Sequence, residues 1–131
     1  MNINTFKKEE KLKSRKEIER LFKDKESKSV AQYPLRLVWL PVETPRGSSP
    51  VQFTVSVSKR RFKTAVQRNR LKRQVRETWR LQKQGLYDQL IEISCPQYAF
   101  MVIYTGQELM DYAVIHSAMR RLIKKFLASN Q

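Results

Sequence analysis

The chain has 131 residues, 40% of them hydrophobic, and its 27 Lys and Arg against 12 Asp and Glu give a formal net charge of +15. This size predicts one domain over residues 1–131, with a flexible N-terminus at 1–13. One Cys excludes an internal disulfide, and no signal-like segment or run of about 18 apolar residues occurs, so we expect a soluble, cytoplasmic protein.

The first predicted element is a short amphipathic helix over residues 14–25. Ser14 and Glu17 fit the capping-box pattern, in which two side chains satisfy backbone donors of the first helical turn. Ile18, Leu21 and Phe22 recur at spacings of three and four and predict one apolar stripe.

Two strands and a loop are predicted next. Residues 33–42 are rich in β-forming residues, and residues 43–50 are dense in turn residues and predict an exposed loop. Residues 51–58 alternate strictly between apolar and polar side chains, which indicates a strand with one buried face. The connecting loop predicts that the two strands pair as a hairpin.

The second half predicts a helix, a strand and a helix. The first helix covers residues 67–83, with Gly85 as its stop signal. Residues 98–104 form a continuous apolar run, typical of a strand inside a sheet. The last helix, residues 111–127, has an apolar stripe made of Val114, Ile115, Ala118, Met119, Leu122, Ile123 and Phe126. This order indicates an α+β fold, a mixed sheet with packed helices.

The positive charge is concentrated in one segment. Residues 59–83 contain eleven Lys and Arg and a single acid, Glu77. Such a local excess is typical of a nucleic-acid-binding protein. An anionic membrane is the main competing partner, but a membrane-surface helix needs a wide face rich in Trp, Phe and Leu. We therefore expect nucleic acid and no membrane.

On a helical projection of residues 67–83, the apolar side chains and the cations separate. Leu71, Val75 and Trp79 fall on one stripe, with Thr78 beside them. A band of five cations and one amide lies next to it: Arg68, Asn69, Lys72, Arg73, Arg76 and Arg80.

A solvated charged face is the alternative explanation for this band, but it would contain interspersed acids that pair with the cations. Glu77 projects outside the band, so the cations lack such partners. An absent polyanion explains them better. If they neutralise five phosphates, the logarithm of RNA affinity should fall against the logarithm of salt with a slope of about −3.5 to −4.5.

Catalysis by protein side chains is not expected. A nuclease needs clustered carboxylates for metal ions or a His-based acid and base. His116 is the single histidine, and both it and Cys95, which precedes a proline, are interpreted as structural. We expect no catalytic residue and no metal or cofactor bound by the protein.

A motif of strand, basic loop and helix surrounds the cationic band. It comprises Val55-Ser56-Val57-Ser58-Lys59-Arg60, Ala65-Val66-Gln67-Arg68-Asn69-Arg70-Leu71-Lys72-Arg73 and Arg76-Glu77. This pattern resembles the signature of the protein subunit of bacterial ribonuclease P. One departure is Phe62-Lys63-Thr64, where the family usually has a shorter turn with a glycine.

The resemblance implies an α-β-β-β-α-β-α sandwich of the ribosomal protein S5 domain 2-like type. The third strand of that order is expected from a different division of residues 33–58. It also implies an accessory subunit of an endoribonuclease holoenzyme, whose RNA removes the 5′ leader of precursor tRNA with magnesium ions. The partners would be ribonuclease P RNA and precursor tRNA, and no DNA is expected.

The basic loop and the motif together predict the RNA-binding residues Lys59, Arg60, Arg61, Lys63, Arg68, Asn69, Arg70, Lys72, Arg73, Arg76 and Arg80. The family also holds the leader in a cleft between the first helix and the sheet. Positions that correspond to this cleft are Ile18, Phe22, Leu35, Leu37 and Trp39. Ile18 and Phe22 fit an ordinary core equally well.

Two other classes of binding protein remain open from the sequence. A non-catalytic RNA-binding module, such as a ribosomal protein, is the runner-up, and a transcription factor for duplex DNA is third. Stimulation of a ribonuclease P RNA separates the first interpretation from both of them.

Overall fold

The computed structural model describes residues 6–45, 47–93 and 96–129, which form a four-stranded mixed sheet and three α-helices. In chain order the elements are a 3₁₀ turn Lys8–Glu10, α1 Arg15–Lys23, β1 Lys28–Gln32, β2 Leu35–Pro41, β3 Val51–Val57, α2 Ala65–Glu92, β4 Tyr98–Tyr104 and α3 Tyr112–Ser129. The predicted α+β class and the α-β-β-β-α-β-α order of helices and strands are confirmed.

The strand order is β1-β2-β4-β3, with antiparallel pairs β1–β2 and β2–β4 and a parallel pair β3–β4. The predicted hairpin between residues 33–42 and 51–58 is therefore wrong, because β4 lies between these strands. The apolar run of β4 favours the interior position, where it has a neighbouring strand on each side and helices on both faces.

The hairpin in this sheet joins β1 and β2 through Tyr33 and Pro34, with Gln32 opposite Leu35. The third strand thus precedes residues 33–58 and does not come from dividing them. β1 is a largely exposed edge strand, and its sequence KSVAQ contains few apolar residues. It therefore lacks the periodic signal by which a half-buried strand is recognised.

Helices cover both faces of the sheet. α2 packs on β3 while α3 packs on β1 and β2, and together they bury the larger core. In that core the ring of Trp79 stacks on that of Phe53, with centroids 4.5 Å apart. α1 packs against β2 and β4 on the opposite face, where a smaller core includes Leu21, Val38 and Met101.

α2 continues through Gly85 to Glu92, so the predicted stop at Gly85 is wrong. Leu86, Tyr87 and Leu90 extend the buried stripe of the helix beyond the glycine. Burial of three large side chains contributes several kcal/mol, whereas one glycine inside a helix costs about 1 kcal/mol relative to alanine. Packing therefore decides where this helix ends.

Gly85→Ala is expected to raise the free energy of unfolding by about 0.4–1 kcal/mol, because alanine restricts the unfolded chain and suits a helix. A Cβ at Gly85 meets nothing within 4 Å. Urea denaturation measures the change. Gly47→Ala is the control with the opposite sign, since Gly47 has φ +63° and a Cβ there would lie 3.0 Å from Glu9 Oε2. Equal effects of the two substitutions would contradict this account.

The N-terminal segment, which the sequence predicts to be flexible over residues 1–13, contacts the domain through Phe6, Glu10 and Leu12. The Leu12 backbone amide donates to the Phe53 carbonyl at 2.9 Å, beside a parallel bridge that pairs Lys11 with Phe53. The segment therefore covers the free edge of β3. Residues 1–5 lie outside the described residues.

A buried polar cluster joins this segment to α2. Glu10 and Lys83, exposed by 4% and 2%, form an ion pair, and the Tyr87 hydroxyl donates to Glu10 Oε1 at 2.8 Å. Burial raises the pKa of Tyr87, so its hydroxyl keeps the proton that it donates. The carboxylate of Glu10 and the ammonium group of Lys83 therefore neutralise each other inside the protein.

The described residues of the loop predicted at 43–50 are largely exposed, with Ser49 buried, and Arg46 lies outside the described residues. The Ser49 hydroxyl donates to the Val51 carbonyl at 2.7 Å, and the Gln97 side chain donates to the Ser49 carbonyl at 2.7 Å. The first bond ties the end of the loop to the start of β3, and the second ties it to the residue that precedes β4. Across the described ranges, no helix is long and apolar enough to cross a membrane.

Candidate nucleic-acid interface

The basic loop between β3 and α2 has a defined conformation. Phe62 is buried, and its ring meets that of Tyr104 edge to face at 5.7 Å. Ser58 Oγ accepts from the backbone amide of Arg60 at 3.2 Å, and Thr64 Oγ1 accepts from an amide in the first turn of α2 at 3.2 Å. The longer loop thus uses Phe62 as an anchor. Its exposed cations are Lys59, Arg60, Arg61 and Lys63.

The apolar stripe of α2 lies where the helical projection predicts. Leu71, Val75, Thr78 and Trp79 are each at most 1% exposed. Because these side chains hold one face of the helix on the sheet, the neighbouring polar side chains project outward. Asn69, Arg70, Arg73 and Arg76 are exposed, and Arg68, Lys72 and Arg80 are half-buried.

Two arginines of the predicted interface support the loop. Arg68 Nη1 donates to the Phe62 carbonyl at 2.7 Å, and Arg61 Nη1 donates to the Thr105 carbonyl at 2.7 Å. A carbonyl does not neutralise the guanidinium, so the charge of each remains available to a polyanion. Substituting Arg68 would nevertheless change the loop as well as the charge.

Glu77 forms an ion pair with Arg80, a residue of the cationic band, and this pair was not predicted. Arg80 donates two hydrogen bonds to it, from Nη2 at 2.6 Å and from Nε at 3.1 Å. These bonds from Arg80 lower the pKa of Glu77, which keeps the carboxylate ionised. The prediction that Arg80 lacks an acidic partner is therefore wrong. A spacing of three residues on a helix brings such a pair together.

Lys83 is not part of the basic surface, because its side chain is buried and forms an ion pair with Glu10. The cations of α2 that remain exposed or half-buried, and that have no carboxylate within 4 Å among the described residues, are Arg68, Arg70, Lys72, Arg73 and Arg76. On α2, the cations without an acidic partner among the described residues therefore lie between positions 68 and 76, in the first half of the helix.

Three of the residues predicted for a cleft beside α1 are on the other face of the sheet. Leu35, Leu37 and Trp39 are buried in the core under α2 and α3, and Trp39 packs edge to face on Phe126 at 5.0 Å. Their placement in such a cleft is wrong. Successive strand residues face opposite sides, and in β2 the alternate residue Val38 faces α1.

The two α1 residues of the predicted cleft differ in their burial. Ile18 packs against the smaller core, while the ring of Phe22 is 61% exposed. An exposed aromatic ring provides a surface for stacking. The assignment of Phe22 to a leader cleft stays a prediction.

His116 connects α2 and α3. Its Nδ1 lies 3.0 Å from Thr78 Oγ1, and its backbone carbonyl accepts from the Gln82 side chain at 3.1 Å. These contacts support the structural interpretation of this histidine. Cys95 lies outside the described residues. In the described part of the chain, no group of three or more His, Cys, Asp or Glu side chains could hold a metal ion.

Comparison with known proteins identifies relatives at the level of sequence and fold. The family model for ribonuclease P matches residues 6–127. The ribonuclease P protein components of two Porphyromonas gingivalis strains are 41% identical over 115 residues, which are 87% of this chain and 80% of each relative.

Two solved structures have a similar fold. The RNase P protein of Staphylococcus aureus matches with a TM-score of 0.65 at 20% identity, covering 88% of this chain and 94% of the other. The RNase P protein of Thermotoga maritima matches with a TM-score of 0.64 at 23% identity, covering 88% and 96%. The matched residues include the basic loop and the whole of α2.

Proposed function

Because this chain belongs to the ribonuclease P protein family, we propose that it binds ribonuclease P RNA and assists RNA-catalysed removal of the 5′ leader from precursor tRNA. The observation that carries the proposal is the uncompensated charge at the start of α2. Like charges grouped on one helix face repel each other, and an RNA backbone relieves that repulsion.

The protein residues act in this proposal by binding and positioning. Lys72, Arg73 and Arg76 bind phosphates, and the planar donors of arginine match phosphate oxygens in pairs. The buried stripe fixes α2 on the sheet, so the cations keep their positions relative to one another. Magnesium ions held with the RNA subunit supply the chemistry of hydrolysis, and no protein side chain enters that step.

The leader of precursor tRNA is assigned to the face of the sheet beside α1. Phe22 presents an exposed ring there, and base stacking on an aromatic ring contributes roughly 1–3 kcal/mol per base. On β3, the side chains that alternate with those of the larger core are Gln52, which is buried, and Thr54 and Ser56, which are half-buried. Polar and aromatic groups together suit single-stranded RNA. The cytoplasmic location stays a prediction.

The test measures cleavage of precursor tRNA by the cognate ribonuclease P RNA, with and without this protein. We expect faster cleavage, or cleavage at lower magnesium, when the protein is present, and none with the protein alone. The protein without RNA and an unrelated basic protein at equal concentration are the controls. Failure to stimulate the cognate RNA, together with tight binding to another RNA, would favour a non-catalytic RNA-binding module such as a ribosomal protein.

A further inference from the structure

A second basic surface lies on α3, away from the cations of α2. Between Tyr112 and Ser129 the sequence contains no acid, and its four cations are exposed. Lys125 Nζ donates to the Ala31 carbonyl of β1 at 2.6 Å, so this surface adjoins the β1 edge of the sheet. We call it the α3 surface, and its cations are Arg120, Arg121, Lys124 and Lys125.

The cations of the α3 surface have no carboxylate within 4 Å in the parts of the chain that the structure describes. α3 packs on β1 and β2, whereas α2 packs on β3 at the far edge. Three strand spacings separate β1 from β3, which is roughly 14 Å. The α3 surface therefore lies toward the β1 edge of the helix layer and the interface of α2 toward the β3 edge, with the two helices packed on each other.

A groove opens where the β1–β2 turn meets the first half of α3. Its volume is about 330 Å³, within the range of small-ligand sites. Tyr33 is 58% exposed and Val114 is 44% exposed, although Val114 was predicted to face the core. The lining residues are Gln32, Tyr33, Ala113, Val114, Ser117, Ala118 and Arg121.

The turn that presents Tyr33 is held in place. Pro34 is buried, and its carbonyl accepts from the Thr105 backbone amide at 2.7 Å, next to the end of β4. The Tyr33 side chain is thus an exposed aromatic group on a fixed backbone. A preorganised aromatic surface loses little conformational entropy when a ligand stacks on it.

The groove combines the groups that an unpaired nucleotide requires. An exposed aromatic ring offers a stacking surface, a guanidinium without an acidic partner can hold a phosphate, and the amide of Gln32 and the hydroxyl of Ser117 can contact a base or a ribose. An acidic peptide would use the cations but not the ring. A bilayer would require a wider apolar surface than Tyr33 and Val114 provide.

We propose that this groove binds one unpaired RNA nucleotide, with its base against Tyr33 and its phosphate at Arg121. The remaining cations of the α3 surface then carry the adjoining backbone. The site extends the RNA contacts of the chain beyond those of the proposed function, and it lies on the helix layer, on the opposite face of the sheet from Phe22.

The test is a titration of the isotopically labelled full chain with single-stranded hexaadenylate RNA, followed by amide chemical shifts. Saturable shifts are expected at Gln32, Val114, Ser117 and Arg121. Tyr33→Ala should weaken binding at these amides about 5- to 150-fold, the range that corresponds to loss of one stacked base, while Tyr33→Phe should retain it. Both variants should keep the wild-type melting temperature, because Tyr33 is an exposed turn residue.

Two results would overturn the proposal. One is shifts confined to α2 or α1. The other is equal shifts with inorganic phosphate alone, since that would mean an anion site without base recognition. Because the shifts are measured in the absence of ribonuclease P RNA, they do not depend on the proposed function. A chain that binds hexaadenylate at Tyr33 but stimulates no ribonuclease P RNA would contradict the proposed function alone.

Crosslinking identifies the source of the nucleotide. Ribonuclease P RNA or precursor tRNA, each carrying 4-thiouridine, is irradiated in the assembled complex, and crosslinked peptides are identified by mass spectrometry. A crosslink from either RNA to the peptide that contains Tyr33, reduced in Tyr33→Ala, supports the proposal and names the source. Crosslinks to α2 from both RNAs, with none to Tyr33 or α3, would overturn it.

Discussion

Lys83→Ala is expected to lower the free energy of unfolding by about 3–5 kcal/mol, because it leaves the buried carboxylate of Glu10 without its cation. The remaining donors to Glu10 are the Tyr87 hydroxyl at 2.8 Å and the Lys7 backbone amide at 2.6 Å. Neither donor carries a charge, so they compensate the carboxylate only in part. Urea denaturation, monitored by tryptophan fluorescence, measures the loss.

Two controls separate the cost of an unpaired charge from the loss of a side chain. The double variant Glu10→Leu, Lys83→Met removes both charges and should recover most of the stability, because apolar residues can replace a buried pair. Lys16→Ala removes an exposed ion pair with Glu43 and should cost less than about 1 kcal/mol. A loss of stability in Lys83→Ala no larger than that in Lys16→Ala would contradict a stabilising role of the buried ion pair.

The triple variant Lys72→Ala, Arg73→Ala, Arg76→Ala is expected to reduce the salt dependence of RNA binding. With Arg68, these residues make four uncompensated cations on the predicted band, since Glu77 neutralises Arg80. Removing three phosphate contacts should make the slope of log affinity against log salt shallower by about 2.1–2.7. Between 50 and 200 mM salt, the affinity of the wild type for ribonuclease P RNA should therefore fall roughly 20- to 40-fold more than that of the variant.

Glu77→Gln is the matched control, and its effect should have the opposite sign. It releases Arg80 from its carboxylate and should steepen the slope by about 0.7–0.9. None of the three substituted cations is buried, so the triple variant should keep the wild-type melting temperature. Equal slopes for the wild type and the triple variant would show that the band does not contact phosphates.

Strong periodic signals in the sequence predicted their elements well. The stripe of Leu71, Val75 and Trp79 is buried as the helical projection requires, and β4 coincides with the apolar run at residues 98–104. In both cases one physical property, burial of a regular apolar pattern, decides the local structure. Where the apolar pattern is weak or ambiguous, the sequence does not determine the element or the face that it buries.

β2 shows one kind of ambiguity. In LRLVWLP one alternating set is apolar throughout and the other contains Val38 and Leu40 beside Arg36, so apolar residues occur in both sets and the pattern does not say which set faces α1. Trp39 faces α3, and Val38 faces α1. When a strand is buried on both faces, the helix against which each face packs depends on the surrounding elements. The tertiary fold sets those elements.

The sequence also does not show which side chains pair when they are far apart along the chain. Glu10 and Lys83 are 73 residues apart, and no local spacing connects them. The charge count over residues 59–83 therefore included a lysine that belongs to the core. The ion pair between Glu77 and Arg80 could have been predicted from their spacing of three residues on a helix. It was not predicted because the helical projection placed Glu77 outside the cationic band.

The central position of β4 also determines when the sheet can form during synthesis on the ribosome. β3 is complete at Val57, but its partner strand ends at Tyr104. At about 5–20 residues per second, the ribosome needs roughly 2–10 s to make the intervening chain. Through that interval the edge of β3 that pairs with β4 has no partner strand in the nascent chain, and such an unpaired edge is prone to aggregation.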